Sequence, residues 1–254
     1  MKSVVQVIRR AEENSQKQIV MFPFGGGSGY SYMSLIAAVD KDVEAVVINP
    51  PGHLFNKGKP LERMDAMVYL YLKELRPVLR NGCVFFGHSI GGLVAYELCR
   101  DLEKEMNIKK LIISSVNPPH RVMDDVDLHA EMDTPTLIRK SSQLGGMPGI
   151  FAEEPELLEM FISGLRADLK TLERYTADKT GPGSDRTGPG IKTGAVILYS
   201  DRDYIVEPAK LREWQHYVNC TEFIKFSGDH FYLFDDSNMK RVAEILMKQV
   251  NSNS

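Results

Sequence analysis

Short apolar runs separated by amphipathic stretches set the pattern of this chain. Ile19 to Phe22, Val43 to Ile48, Cys83 to Phe86, Lys110 to Val116, Ala195 to Tyr199 and Thr221 to Phe226 are runs rich in β-branched and aromatic side chains, and each predicts a strand. Helical spacing fills the intervals: Tyr30 to Val39, Asp65 to Leu79 (Val68, Leu72, Leu75, Leu79), a helix containing Trp214, and Ser237 to Val250 with Val242, Ile245 and Leu246 inward. Strands alternating with helices imply an α/β domain, a mostly parallel twisted sheet with helices on both faces. The 254 residues form a single domain, 1–254.

The alternation stops between His120 and Tyr175. Leu157, Leu158, Phe161, Ile162, Leu165, Leu169 and Leu172 make a stripe at steps of one, three and four, which predicts a helix or a bent pair. An all-helical insertion between two sheet strands, residues 120–176, would sit over the carboxyl ends of the strands as a lid. Met147 and Phe151, just before the stripe, are expected to face a substrate pocket. Thr-Gly-Pro-Gly then occurs twice between Thr180 and Gly190, the composition of a flexible loop spanning about 178–192.

The chemistry centres on Gly87-His88-Ser89-Ile90-Gly91, which follows a strand and opens a helix with Leu93, Val94 and Leu98 on one face. A turn that sharp strains the serine backbone and brings both flanking glycines against neighbouring chain, where a Cβ would clash. It also lifts the Ser89 hydroxyl clear of the sheet. The Ile90 N–H is left at a helix N-terminus, where it can meet a developing negative charge. After the first strand, Phe24-Gly25-Gly26-Gly27-Ser28-Gly29 fits neither a dinucleotide fingerprint nor a P-loop, since Tyr30 stands where glycine or alanine is needed and no Gly-Lys-Ser/Thr follows. The loop instead suits an oxyanion hole, with Gly25 the second N–H donor and Phe24 its fallback and a pocket residue.

A serine nucleophile needs a base, and the base needs a carboxylate to fix its tautomer. In chain order Ser, Asp, His, the arrangement is met by an aspartate after Tyr199 and by His230 after Phe226. Asp203 stands far enough past its strand to turn back toward His230, and Asp201 is the alternative, expected to face solvent. Of the other five histidines, His88 diverges from its neighbour Ser89 at the turn, and His53, His120, His129 and His216 are read as packing or surface residues. Asp124, Asp125 and Asp127 lack a glycine-bounded loop and read as a solvated turn, so no metal is expected.

Composition narrows the partners. Thirty-one basic against 34 acidic residues give a net charge of −3, with no phosphate-binding footprint, so nucleic acid is excluded as a partner. Three scattered cysteines fit reduced thiols in the cytoplasm. The apolar cluster Val4, Val5, Val7 and Ile8 is cut off by Arg9 and Arg10, too short for a leader, and no run reaches the length of a membrane span.

Taken together, these motifs resemble the type II thioesterases of nonribosomal peptide and polyketide synthesis, a branch of the α/β-hydrolases. Phe22-Pro23-Phe24-Gly25-Gly26-Gly27 resembles their oxyanion loop and Asn49-Pro50-Pro51-Gly52 their proline-glycine turn. Gly87 to Glu97 is similar to their elbow and helix, Leu144 to Pro148 and Leu165-Arg166-Ala167-Asp168 to their lid, and Gly228-Asp229-His230-Phe231 to their histidine turn. Ser200 and Asp229 stand where glycine is common, and the loop from Thr180 to Gly190 is longer than expected. The resemblance implies hydrolysis, in trans, of acyl or aminoacyl thioesters on the phosphopantetheine arm of acyl- or peptidyl-carrier proteins, with no cofactor on the enzyme itself. Its catalytic set would be Ser89, Asp203 and His230, with Gly25 and Ile90 as oxyanion donors. A small-molecule carboxylesterase or acyltransferase would use the same triad.

Overall fold

The computed structural model describes residues 3–11, 15–124, 126–145, 154–180 and 190–252. Seven strands form one sheet: β1 (Val5–Arg9), β2 (Gln18–Phe22), β3 (Glu44–Ile48), β4 (Cys83–His88), β5 (Ile108–Ser114), β6 (Ile191–Ser200) and β7 (Val218–Phe226). Their order across the sheet is β1-β3-β2-β4-β5-β6-β7, with every neighbouring pair parallel except β1 with β3. The six expected strands are present, and β1 is added at the edge. Its sequence, Val-Gln-Val-Ile-Arg, lacks the continuous apolar run of the central strands because at the sheet edge all of it but Val5 is only partly buried.

Alternate residues of the central strands serve two cores. Val20, Phe22, Val46, Ile48, Phe85, Leu111, Ile113 and Ile197 face one; Ile19, Met21, Val47, Val84, Phe86, Ile112, Val196 and Leu198 face the other. The period-two split explains why these strands are apolar at nearly every position. On the first face lie α2 (Met64–Leu75) and α3 (Ile90–Leu102), with the indole of Trp214 fully buried beside them. The second face is covered by α1 (Met33–Ala38) and by the last helix, Asp236–Asn251.

Several helix boundaries differ from expectation for local reasons. The pattern from Asp65 to Leu79 continues past the helix, which stops at Leu75: Arg76 still has helical dihedrals and bonds the Leu72 carbonyl, but Pro77 has no N–H to continue the ladder. The segment Tyr30 to Val39 divides into a 3₁₀ turn, Gly29–Tyr32, and α1. Around Trp214 there is a single helical turn, Pro208–Leu211, followed by a 3₁₀ segment, Arg212–His216.

Between β5 and β6 the described elements are all helical, a 3₁₀ turn at Pro119–Arg121 followed by α4 (Thr134–Gln143) and α5 (Pro155–Thr180), joined by irregular chain. Helix α5 is one continuous helix of 26 residues rather than a bent pair. It runs to Thr180, and β6 already begins at Ile191, so helix and strand enter the span 178–192 from both ends. A third apolar cluster joins this insertion to the sheet: Phe161, Ile162, Leu165 and Leu169 from α5, Leu137 from α4, and Phe24 and Leu54 from the loops beneath.

The order of the sheet reverses at β2. Successive connections place β3 on one side of β2 and β4 on the other, so the carboxyl ends of β2 and β4 open onto a crevice, the usual place for a site in such sheets. Phe22 at the end of β2 pairs with Gly87 in β4. The glycine loop and the serine turn are therefore neighbours by register.

That junction has no spare volume. A Cβ on Gly91 would lie 2.3 Å from the Phe22 carbonyl oxygen and 2.4 Å from that of Pro23, and one on Gly87 would lie 2.2 Å from the Gly91 carbonyl oxygen. Backbone cannot yield as a side-chain tip does. Gly91→Ala is expected to cost about 3 kcal/mol or more, since overpacking against fixed backbone exceeds the usual core penalty. Urea denaturation of the variant checks this, and a loss below about 1 kcal/mol would show that the turn relaxes.

Candidate active site

Four elements bring the candidate groups to the carboxyl end of the sheet. Ser89 sits at φ 55°, ψ −131° between β4 and α3, one of few non-glycine residues with positive φ. Its N–H donates to the Ser114 carbonyl at 2.8 Å, and its carbonyl accepts from Gly92 N–H at 2.9 Å, which pins both sides of the strained residue. Ile90 is the first residue of α3, so its N–H has no carbonyl one turn earlier to bond.

Gly25 lies on the loop after β2. The Phe24 carbonyl accepts from Gly27 N–H at 2.9 Å, closing a turn. Because the Phe24–Gly25 peptide is trans, its N–H points opposite to that carbonyl, away from the turn. Phe24 itself does not line the cavity beside Ser89. Its ring packs edge-on against Phe231, 4.9 Å between centroids, and belongs to the apolar cluster that seats the lid. Expected as a pocket residue, Phe24 is instead part of the loop's footing. Met147 and Phe151 lie outside the described residues.

His230 and Asp203 meet past the ends of β7 and β6. His230 Nδ1 is 2.9 Å from Asp203 Oδ2 and 3.0 Å from Oδ1, and both side chains are buried. Asp203 Oδ1 also accepts from Ile205 N–H at 2.9 Å. Burial alone would raise the Asp203 carboxyl; the facing His230 and these hydrogen bonds outweigh it and hold the group below the usual carboxylate range. Asp201 is exposed, and its Oδ1 accepts from Gly228 N–H at 3.1 Å, a turn-closing role.

His88 points away from Ser89, into the layer beneath His230, with 4.9 Å between the ring centroids. Its Nδ1 is 2.8 Å from Ser114 Oγ, which is 2.7 Å from the Tyr232 hydroxyl. Burial, and next the proximity of His230, push His88 well below the usual histidine range, so it is neutral.

Ser89, His230, Gly25 and Ile90 share the wall of one cavity of about 60 Å³. The rest of its described lining is mostly apolar and comes largely from the lid and the loop before it, with Val122, Met123, Leu144, Leu165, Leu169 and Leu172; Ser115 and Asp168 are the polar side chains among it. A serine hydroxyl, an imidazole paired with a carboxylate, and two backbone N–H groups around a mostly apolar recess form a set suited to acyl transfer.

The comparisons with known proteins agree with that chemistry. The profile of the thioesterase domain family matches residues 17–250. The chain belongs to the thioesterase domain family. As a member it is a hydrolase acting on thioesters. It is 28% identical to the thioesterase PikA5 of Streptomyces venezuelae over 87% of this chain and 77% of that protein. To the gramicidin S biosynthesis protein GrsT of Aneurinibacillus migulanus it is 26% identical, over 94% and 92% of the two chains. Among solved structures, the type II thioesterase BorB from the borrelidin cluster superposes with a TM-score of 0.81 at 22% identity, covering 99% of this chain and 98% of that one. RedJ, a thioesterase of the prodiginine pathway in Streptomyces coelicolor, gives 0.80 at 22% identity over 96% and 94%. These likenesses place the thioesterase on the α/β-hydrolase fold.

One buried group in this thioesterase was read from sequence as mere packing. His53, on the turn after β3, places Nε2 2.9 Å from Asp168 Oδ2 on α5 and Nδ1 3.1 Å from the Pro51 carbonyl, and the same Asp168 oxygen accepts from Gly26 N–H at 2.8 Å. The two partners are 115 positions apart, so no spacing in the sequence links them. Burial alone would lower the His53 pKa; the Asp168 charge and hydrogen bond, with the Pro51 bond, more than offset this and raise it. Tyr71, a titratable neighbour of Asp168, has its phenol pushed far up by burial and by that carboxylate, and stays neutral.

A raised folded pKa means a stabilising contribution that is complete below the unfolded value of about 6.5 and is lost as pH rises through the folded value. The stability difference between the wild type and His53→Gln is therefore expected to shrink as pH increases above about 6.5. Urea midpoints across pH 5 to 9 measure it, in steps of about one unit. A difference independent of pH would contradict the ionic pairing.

Proposed function

We propose that this thioesterase removes short acyl groups from the phosphopantetheine arm of carrier proteins in the cytoplasm, acting in trans through an acyl-enzyme on Ser89. The observation that carries the reading is the pairing of Asp203 with His230 at 2.9 Å beside a cavity whose wall also holds Ser89 and the Gly25 and Ile90 backbone. In the mechanism, His230 Nε2 takes the Ser89 proton as Oγ attacks the thioester carbonyl. The carbonyl π electrons move to oxygen, and the oxyanion is held by the N–H groups of Gly25 and Ile90. Collapse breaks the C–S bond, and the thiolate leaves with the proton from His230. Water, deprotonated by His230, then hydrolyses the Ser89 ester by the same steps. Asp203 holds the imidazole with its Nδ1–H toward the carboxylate and stabilises the imidazolium. A thiol, with a pKa of about 8.5, is a good leaving group, so this set suffices for the chemistry.

The cavity supports a short acyl chain. A cavity needs roughly 10–15 Å³ to hold one water, so the recess of about 60 Å³ has room for a few heavy atoms. Its mostly aliphatic lining, with the Asp168 carboxylate at one side, favours a small aliphatic acyl group over an anionic one. The carrier-bound substrate is supported by the relatives, named for gramicidin S and anguibactin biosynthesis, and by similar structures named for the yersiniabactin and colibactin NRPS/PKS pathways.

The test uses mass spectrometry of a carrier protein loaded with acetyl or with octanoyl phosphopantetheine. The wild type is expected to restore the free thiol, at least about tenfold faster for acetyl, since each excluded methylene is worth roughly 1–3 kcal/mol of discrimination. Ser89→Ala is expected to leave the acyl group in place. If both enzymes leave the carrier acylated while the wild type cleaves a free oxygen ester, carrier editing is wrong and the protein is a small-molecule esterase.

A further inference from the structure

The Asp168 carboxylate joins three separate pieces of the molecule. It sits on α5, accepts Gly26 N–H from the loop after β2, and faces His53 from the turn after β3. Both side chains are almost wholly buried, Asp168 at 6% and His53 at 1% exposure. The protons can be assigned from the partners alone. Pro51 oxygen can only accept, so His53 Nδ1 carries a hydrogen; Nε2 faces an oxygen that already accepts from Gly26. A second proton must lie between Nε2 and Asp168, and the pair is an ionic hydrogen bond rather than a lone-pair clash.

The surroundings are shaped to fit this contact. Phe161, Gly164, Leu165 and Asp168 recur at three, four and seven positions, one face of α5. A Cβ on Gly164 would lie 2.7 Å from His53 Cδ2, one on Gly26 would lie 2.8 Å from Phe161, and one on Gly25 would lie 3.2 Å from Leu165. Gly26 has φ +73°, so its peptide is held in a conformation that the Asp168 bond helps fix. The lid helix thus rests directly on the loop whose Gly25 N–H faces away from its own turn.

We propose that Asp168 and His53 clamp the glycine loop to the lid helix, so that the oxyanion hole is complete only while α5 is docked. They are positioning residues: His53 lies outside the acyl recess and Asp168 borders it with its carboxylate bound to Gly26 N–H and His53, so both act on the oxyanion site through the Gly25–Gly26 backbone. The inference rests on the acyl-enzyme reading above. It adds that the lid, beyond shaping the acyl recess, is a structural part of the oxyanion site.

The test measures kcat and KM on an acetyl thioester, and the affinity for an acyl-matched trifluoromethyl ketone, whose hemiketal oxygen occupies the oxyanion position. Asp168→Ala removes the acceptor, whereas Asp168→Asn keeps a carbonyl for Gly26 N–H. Removal of one oxyanion donor costs about 10²–10³ in kcat, so a misplaced donor in Asp168→Ala is expected to lower kcat about 100-fold, and Asp168→Asn about tenfold. KM should stay within about threefold, and ketone affinity should fall in parallel with kcat. Should the alanine variant fail to fold, the asparagine variant carries the same comparison. Folded variants with wild-type kcat and ketone affinity overturn the clamp, as does a loss confined to KM or to thermal stability. Ser89→Ala, run alongside, separates the two readings: its inactivity with fully active Asp168 variants overturns the clamp alone, whereas its retained turnover overturns the acyl-enzyme and the clamp together.

Discussion

The strained backbone of Ser89 is the constraint around which this molecule is built. A side chain held at φ 55° lies outside the usual helical and extended wells and costs about 1–3 kcal/mol, so surrounding contacts must enforce it. Here they are backbone contacts. Gly91 abuts the Phe22 and Pro23 carbonyls, Gly87 abuts Gly91, and the Ser89 N–H and carbonyl are each bonded. The same close approach of α3 to the end of β2 fixes the distance between Ser89 and the glycine loop. One steric fit therefore sets both the serine and the place where an oxyanion would form.

Around that point the sheet supplies groups from successive strand ends. Because β2 and β4 are neighbours at the reversal of strand order, two loops that are far apart in sequence share a crevice. β6 and β7 then deliver Asp203 and His230 from the other side, already paired and buried. Beneath them, neutral His88 fills the space with an uncharged ring, bonded through Ser114 to Tyr232, which leaves the charge of an imidazolium to Asp203. The lid closes the crevice with aliphatic side chains, and it touches the polar machinery through Asp168.

How far the sequence disclosed this depended on whether the determining interaction was local. β2, β3 and β4 and the centres of β5 and β6 were readable because strands buried on both faces are apolar at nearly every position, and β7, at the other edge, through Phe223, Ile224 and Phe226. β1 was not, since Val5, Gln6 and Val7 alternate at a sheet edge. Helix α2 overran in the reading because periodicity continues through Leu79 while the backbone consequence of Pro77 outranks it. At the site, the elbow was legible from five consecutive residues, and the order Ser, Asp, His pointed to His230. The choice between Asp201 and Asp203 turns on which carboxylate bends inward: Asp203 pairs with His230, and Asp201 caps Gly228. His53 escaped because its significance lies wholly in a partner on another element, and a histidine after a proline-glycine turn has no signature of its own.

The central claim is that acyl transfer passes through Ser89, and trapping the intermediate tests it most directly. The wild type is mixed with an acetyl thioester, quenched in acid during turnover, digested and mapped by mass spectrometry. The account predicts an added acetyl group on the peptide containing Ser89, absent from Ser89→Ala treated in the same way. An acetyl group on another residue, or continued thioester cleavage by Ser89→Ala, would contradict it.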